Sequence, residues 1–120
     1  MCARCTGGRG CSGRCKVLLK ASDLWRGGMS AFEDGDADAG EAMQREALSL
    51  VRSLGGFAVL EARILNNLGV ILSCAGRHVE AAREFARALT LLTGRVDPQT
   101  RFHQVIAGNY KKTFAAGLAA

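Results

Sequence analysis

Four of the chain's five cysteines fall within its first fifteen residues, MCARCTGGRGCSGRC, spaced Cys2-x2-Cys5-x5-Cys11-x3-Cys15. Thiolates are the soft ligands that tetrahedral zinc and iron–sulfur clusters require, and the backbone between them must wrap tightly around the ion. Gly7, Gly8, Gly10 and Gly13 supply such a backbone. Cys2, Cys5, Cys11 and Cys15 are therefore candidate metal ligands, with zinc or an iron–sulfur cluster as the cofactor. The cations Arg14 and Lys16 favour the thiolate form, which serves metal binding and oxidation alike. Two other outcomes stay open: a redox-sensitive unstructured tail, or disulfides, which a cytoplasmic chain disfavours.

Other constellations fall short of chemistry. Gly8-x4-Gly13-Arg14-Cys15 echoes a phosphate-binding loop, but Lys and Ser/Thr are missing and no strand precedes it. Asp34, Asp36 and Asp38 echo a calcium loop, yet Ala39 stands where the Gly is required and Arg45 where the bidentate Glu belongs. His78 and His103 have no Cys, Ser or carboxylate at a catalytic spacing. No enzyme is expected.

The net charge of +5 is uneven. Residues 1–20 carry Arg4, Arg9, Arg14, Lys16 and Lys20 without an acid, while the rest of the chain holds basic and acidic residues in equal number. The high pI thus belongs to a short arm and not to a face of the fold, so nucleic acid is not the expected partner. No apolar run approaches the ~20 residues of a membrane span, and no apolar core follows the N-terminal arginines as a signal peptide would need. A cytoplasmic location and no membrane association are the expectations.

The elements that must position any site are helices. One Pro, one Trp, one Tyr and abundant Ala, Leu and Gly favour an all-α fold in one small domain. Residues 1–15 form a Cys/Gly-rich basic segment, and residues 16–120 the helical domain. An apolar-periodic stretch from Lys16 to Glu33 is interrupted at Gly27-Gly28. A second helix starts near Asp38, where Asp38 and Glu41 have capping-box spacing, and ends at Leu54 before Gly55-Gly56. Between Ala62 and Gly94 two helices meet at Ala75-Gly76, with Gly76 suited to a left-handed turn. Leu65, Leu68, Ile71 and Leu72 share one face of the first, and Ala81, Ala82, Phe85, Ala88, Leu89 and Leu92 one face of the second. Gly69 costs its helix ~1 kcal/mol against Ala, so a close helix–helix approach is its expected role. A fifth helix is expected from Asp97-Pro98 to about Gly117.

Leu68-Gly69 followed by Ala81, Phe85 and Ala88 resembles one tetratricopeptide repeat (TPR), and LNNLGVIL with GRHVEAAREFARAL is similar to the longer-period variant of kinesin light chains. Shifting the chain by forty-two residues places Gly27 on Gly69, Ala39 on Ala81 and Met43 on Phe85, and a second shift places Asn67 on Asn109 and Leu68 on Tyr110. The resemblance implies repeat 1 at 16–54, repeat 2 at 58–94 and a closing helix at 98–117. It also implies helix hairpins stacked as a short solenoid. The N-terminal CxxCTGG is similar to the knuckles of the J-protein zinc domain, with Arg9 in place of their last Gly.

In such arrays the first helices line a groove that holds a partner segment. An Asn before the large–small pair can bond a ligand's main chain, because an amide both donates and accepts. The resemblance carries this role to Asn67 and, through the repeat, to Asn109, with Trp25 at the same place in repeat 1 and expected in the core. Arg63, Asn66, Val70 and Cys74 share the face, Arg63 to hold a carboxylate, Val70 and Cys74 for apolar contact. Cys74 is expected to be largely buried. The expected function is a non-enzymatic adaptor for a protein or peptide. The alternatives are a metal- or redox-responsive regulator using the basic Cys-rich arm, or a small secretion chaperone of the same repeat type. An array this short leaves apolar ends that a second copy could cover as a homodimer.

Overall fold

A computed structural model describes residues 13–119. Five helices follow in order: α1 (Gly13–Glu33), α2 (Ala37–Leu54), α3 (Ala58–Cys74), α4 (His78–Leu92) and α5 (Arg101–Ala119). No strand occurs among the described residues. Each helix packs on the next, and in addition α1 touches α3 and α3 touches α5. The odd-numbered helices therefore form one layer and α2 and α4 the other, in an elongated body of 55 × 34 × 21 Å. The fold is an all-α stack of helix hairpins, as expected.

The core is centred on α3, whose Ile64, Leu65, Leu68 and Leu72 are buried against Phe85, Ala88 and Leu92 of α4 and Ala47, Leu48 and Val51 of α2. Burying a side chain such as Phe85 or Leu68 contributes about 1.5–3 kcal/mol each. The turns follow from glycine where a left-handed residue is needed. Gly76 has φ +81°, and it lets the chain reverse from α3 into α4 within three residues.

Several local expectations are corrected. Gly27-Gly28 does not interrupt α1, which runs unbroken from Gly13 and so takes in Cys15. α2 is capped by Asp36, whose Oδ1 accepts from the Ala39 amide at 3.0 Å. Glu41 does not turn back to close a capping box with Asp38. It reaches across to Arg77 at the start of α4 and to Arg45 on its own helix. α5 begins at Arg101, after Pro98, where the Thr100 hydroxyl accepts from the His103 amide.

The repeat register shifts as well. A Cβ built on Gly69 would meet the Phe85 ring at 2.6 Å, and one built on Gly28 would meet Gln44 Nε2 at 2.9 Å. Gly28, Gly40, Gln44 and Ala47 thus occupy the places of Gly69, Ala81, Phe85 and Ala88, an offset of forty-one residues and not forty-two. Two adjacent glycines made both alignments open to the sequence. The apolar Met43 then looked like the aromatic's counterpart, but it is only half-buried, whereas Gln44 is fully buried and donates to the Trp25 carbonyl at 2.8 Å. From α3 to α5 the offset is forty-two, since Ile64 and Ile71 are matched by the buried Ile106 and Thr113.

Candidate functional site

The face built by α1, α3 and α5 is where the predicted contact residues lie. On α3, Arg63, Asn66, Val70 and Cys74 recur every three or four residues and so project from one side. The structure divides them between two openings. Arg63 lines a wide mouth of about 750 Å³ at the start of α3, together with Trp25, Arg26, Phe57 and Arg95. Val70 and Cys74 line a small cleft of about 140 Å³ between α3 and α5, with Asn109 and Lys112 opposite.

Asn66 and Asn109 meet directly between these openings. The Asn109 Nδ2 donates to Asn66 Oδ1 at 3.1 Å, tying α3 to α5. Asn109, expected to share the role of Asn67, thus has one of its amide protons committed inside the protein. Asn67 is half-buried, and its side chain makes no hydrogen bond among the described residues. Its side-chain amide is thus uncommitted among the described residues. With the register at forty-one, the residue of α1 that answers to Asn67 is Arg26, and Trp25 answers to Asn66. Trp25 is half-buried, packing its ring against the core while its edge lines the mouth.

Cys74 is exposed, contrary to the expectation of burial. It ends α3 on the side away from the core stripe, so it contributes surface to the cleft. Cys15 lies in the first turn of α1 and is half-buried. Cys2, Cys5 and Cys11, the other three candidate metal ligands, lie outside the described residues. Among the described residues, no three His, Cys, Asp or Glu side chains cluster as a metal site would. Nor is any helix there long and apolar enough to cross a membrane.

The mouth is electropositive. Arg26, Arg63 and Arg95 make no ion pair with a carboxylate among the described residues. Arg63 lies over the Phe102 ring at 5.4 Å, and Arg95 donates to the Leu91 carbonyl at 3.0 Å, so two of the three guanidinium groups are held in place. The one acid lining the mouth, Glu61, is already engaged by Arg52 at 3.0 Å. The first turn of α3 opens into the same space, and its N-cap Phe57 offers no side-chain hydrogen bond to the free amides. Arg26, Arg95 and Phe57 were not read from the sequence as site residues. Arg26 was hidden by the register, and Arg95 and Phe57 are loop residues that no helical period marks.

The model of the family described as tetratricopeptide repeat matches residues 21–93, from within α1 to the end of α4. No curated protein and no solved structure matches the chain.

Proposed function

The chain belongs to the tetratricopeptide-repeat family, a family of non-enzymatic protein-interaction repeats, and from that we propose that its α1/α3/α5 face binds an acidic segment of a partner polypeptide. The observation that carries this reading is the mouth lined by Arg26, Arg63 and Arg95, three cations with no carboxylate partner among the described residues. Guanidinium groups bind carboxylates in a planar, often bidentate geometry, and two of these three are already oriented. The free amides at the start of α3 favour the same sign of charge. Farther along the face, Asn67 offers a donor and an acceptor to the segment's main chain, and Val70 and Cys74 offer apolar contact. The roughly forty-residue repeat supports the kinesin-light-chain-like variant of the family.

Trp25 is the chain's one tryptophan and lines the mouth, so its fluorescence reports directly on occupancy. Titration with a Glu-rich peptide should shift that emission, and a Gln-rich peptide of the same length should not. The shift should weaken with added salt and in Arg63→Ala, without loss of helical content. Equal response to the two peptides would remove the acidic reading, and no response to either would remove the groove.

A further inference from the structure

A second cleft, distinct from the mouth and the Asn66–Asn109 face, lies between α4 and α5 and has a volume of about 290 Å³. Forty-two residues on from Leu65, Leu68 and Leu72 of α3 stand Ala107, Tyr110 and Phe114 of α5. On α3 this face is covered by α4, and the three leucines are at most 1% exposed. On α5 no described element covers it. Phe114 is 50% exposed, Leu118 75%, and Val79 across the cleft on α4 65%. Three of the described residues' exposed large apolar side chains are thus gathered on one patch, shaped as the seat of one more helix.

The corresponding seat between α2 and α3 shows how such a helix is held. There the first turn of α4 is tied down by Arg77, which reaches Glu41 at 2.6 Å, and by Glu80, which Arg45 approaches at 3.7 Å. Forty-one residues on from Glu41 and Arg45 stand Ala82 and Ala86, so neither of those ion pairs can be repeated. Arg83 lines the cleft instead, exposed and without an ion pair among the described residues. Lys111, one turn before Phe114, is also exposed, and α5 contains no acidic residue.

We propose that this cleft docks an amphipathic helix from a partner protein, apolar on the face toward Tyr110, Phe114 and Leu118 and acidic on the flank toward Arg83 and Lys111. The helix lies on α5 as α4 lies on α3. A second copy of the chain is the poorer occupant, because its α5 would bring Arg101, Lys111 and Lys112 against the same cations. The inference rests on the repeat geometry and not on the groove reading, so each can fail alone.

The test uses the full chain and two synthetic helical peptides of about 18 residues, roughly 27 Å long, both with a Leu/Ala face. One carries Glu on its polar flanks, the other Lys. Fluorescence anisotropy of the labelled peptides should show the Glu peptide binding at least about tenfold more tightly, a difference of ~1.4 kcal/mol. Leu118→Ser and Phe114→Ser should each weaken it, and Arg83→Glu should reverse the preference, with helical content unchanged by circular dichroism because all three side chains are exposed. Arg26→Ala and Asn67→Ala, which act at the mouth and its face, should leave the component that depends on Phe114 and Leu118 unaltered. Equal affinity for the two peptides, or indifference to Phe114→Ser and Leu118→Ser, would overturn the proposal. So would sedimentation as a dimer that Phe114→Ser dissociates, since the face would then be a self-interface.

Discussion

Gly69 lies directly under the ring of Phe85. A Cβ at position 69 would fall 2.6 Å from Phe85 Cε1 and 2.7 Å from Cζ, closer than real Cβ contacts come. This contact sets how near α3 and α4 approach, and Phe85 is fully buried, so its ring has nowhere to go.

Gly69→Ala should therefore destabilise the protein by about 1–3 kcal/mol, even though Ala is the better helix former by ~1 kcal/mol. Gly27→Ala makes the instructive contrast. Its Cβ would meet only Met43 Cε, at 2.7 Å, the far end of a flexible side chain that can turn aside. There the propensity gain should win, leaving stability unchanged or raised by up to ~1 kcal/mol. Urea unfolding of the two variants beside the parent checks both signs, and a loss at Gly27 as large as at Gly69 would refute the distinction.

Gln44 sits where repeat 2 has Phe85, and it is fully buried. Its Nε2 is bonded to the Trp25 carbonyl, but its Oε1 has no partner among the described residues. An orphaned buried carbonyl costs about 1–3 kcal/mol, whereas an apolar side chain of similar volume leaves nothing unpaired on its own account. Gln44→Met should thus be neutral to stabilising, by up to ~1 kcal/mol, with an unchanged denaturant slope. A loss above about 2 kcal/mol would mean that the bond to Trp25 outweighs the unpaired oxygen.

Acid should loosen the joint between α2 and α4 before it loosens the core. Burial opposes ionisation of Glu41, but the hydrogen bonds from Arg77 and Arg45 outweigh it, holding its carboxyl below the usual value of 4.5. The hydrogen bond from Arg77 likewise lowers Glu80, and the Arg77 guanidinium, bonded to both acids, is raised. A carboxyl whose folded pKa is depressed contributes stability that is complete above its unfolded pKa and is lost as pH falls through the folded one. The parent protein should therefore lose more stability than Glu41→Gln on going from about pH 7 to about pH 3, most of the difference appearing below the ordinary glutamate range near 4.3. Added salt should shrink the difference, because these side chains are partly solvated. Parallel urea titrations at each pH measure it.

The helices were legible because amphipathic periodicity is a strong local signal, and the α3–α4 pair was read nearly residue by residue, from Gly69 and Phe85 to the turn at Gly76. The register of repeat 1 was not. Gln44 buries a polar amide where the pattern calls for an aromatic, and the bond to Trp25 that makes this tolerable is a tertiary contact with no sequence signature. The groove residues on α3 were placed on one face by helical spacing alone. Their neighbours were not, since which side chain faces Asn109 depends on how α5 is rotated against α3. Of the basic mouth only Arg63 was read, for a related reason: Arg26, Arg63 and Arg95 lie on α1, on α3 and in the α4–α5 loop, and only packing gathers them.

The two α3 asparagines should accordingly part company under mutation. Asn66 and Asn109 share a hydrogen bond between half-buried side chains, so a double-mutant cycle with Ala should return a coupling of about 0.5–1.5 kcal/mol in stability. Asn67 has no such bond, and Asn67→Ala should leave unfolding within ~0.5 kcal/mol of the parent. Its effect should surface only in binding, where a lost amide contact to a partner's main chain weakens affinity several-fold for ~1 kcal/mol. Measured with the Glu-rich peptide and Trp25 emission, Asn67→Ala should weaken binding at constant stability, while Asn109→Ala should lower stability first. Unchanged affinity in Asn67→Ala would take that residue out of the contact face and leave the arginine mouth as the whole of the site.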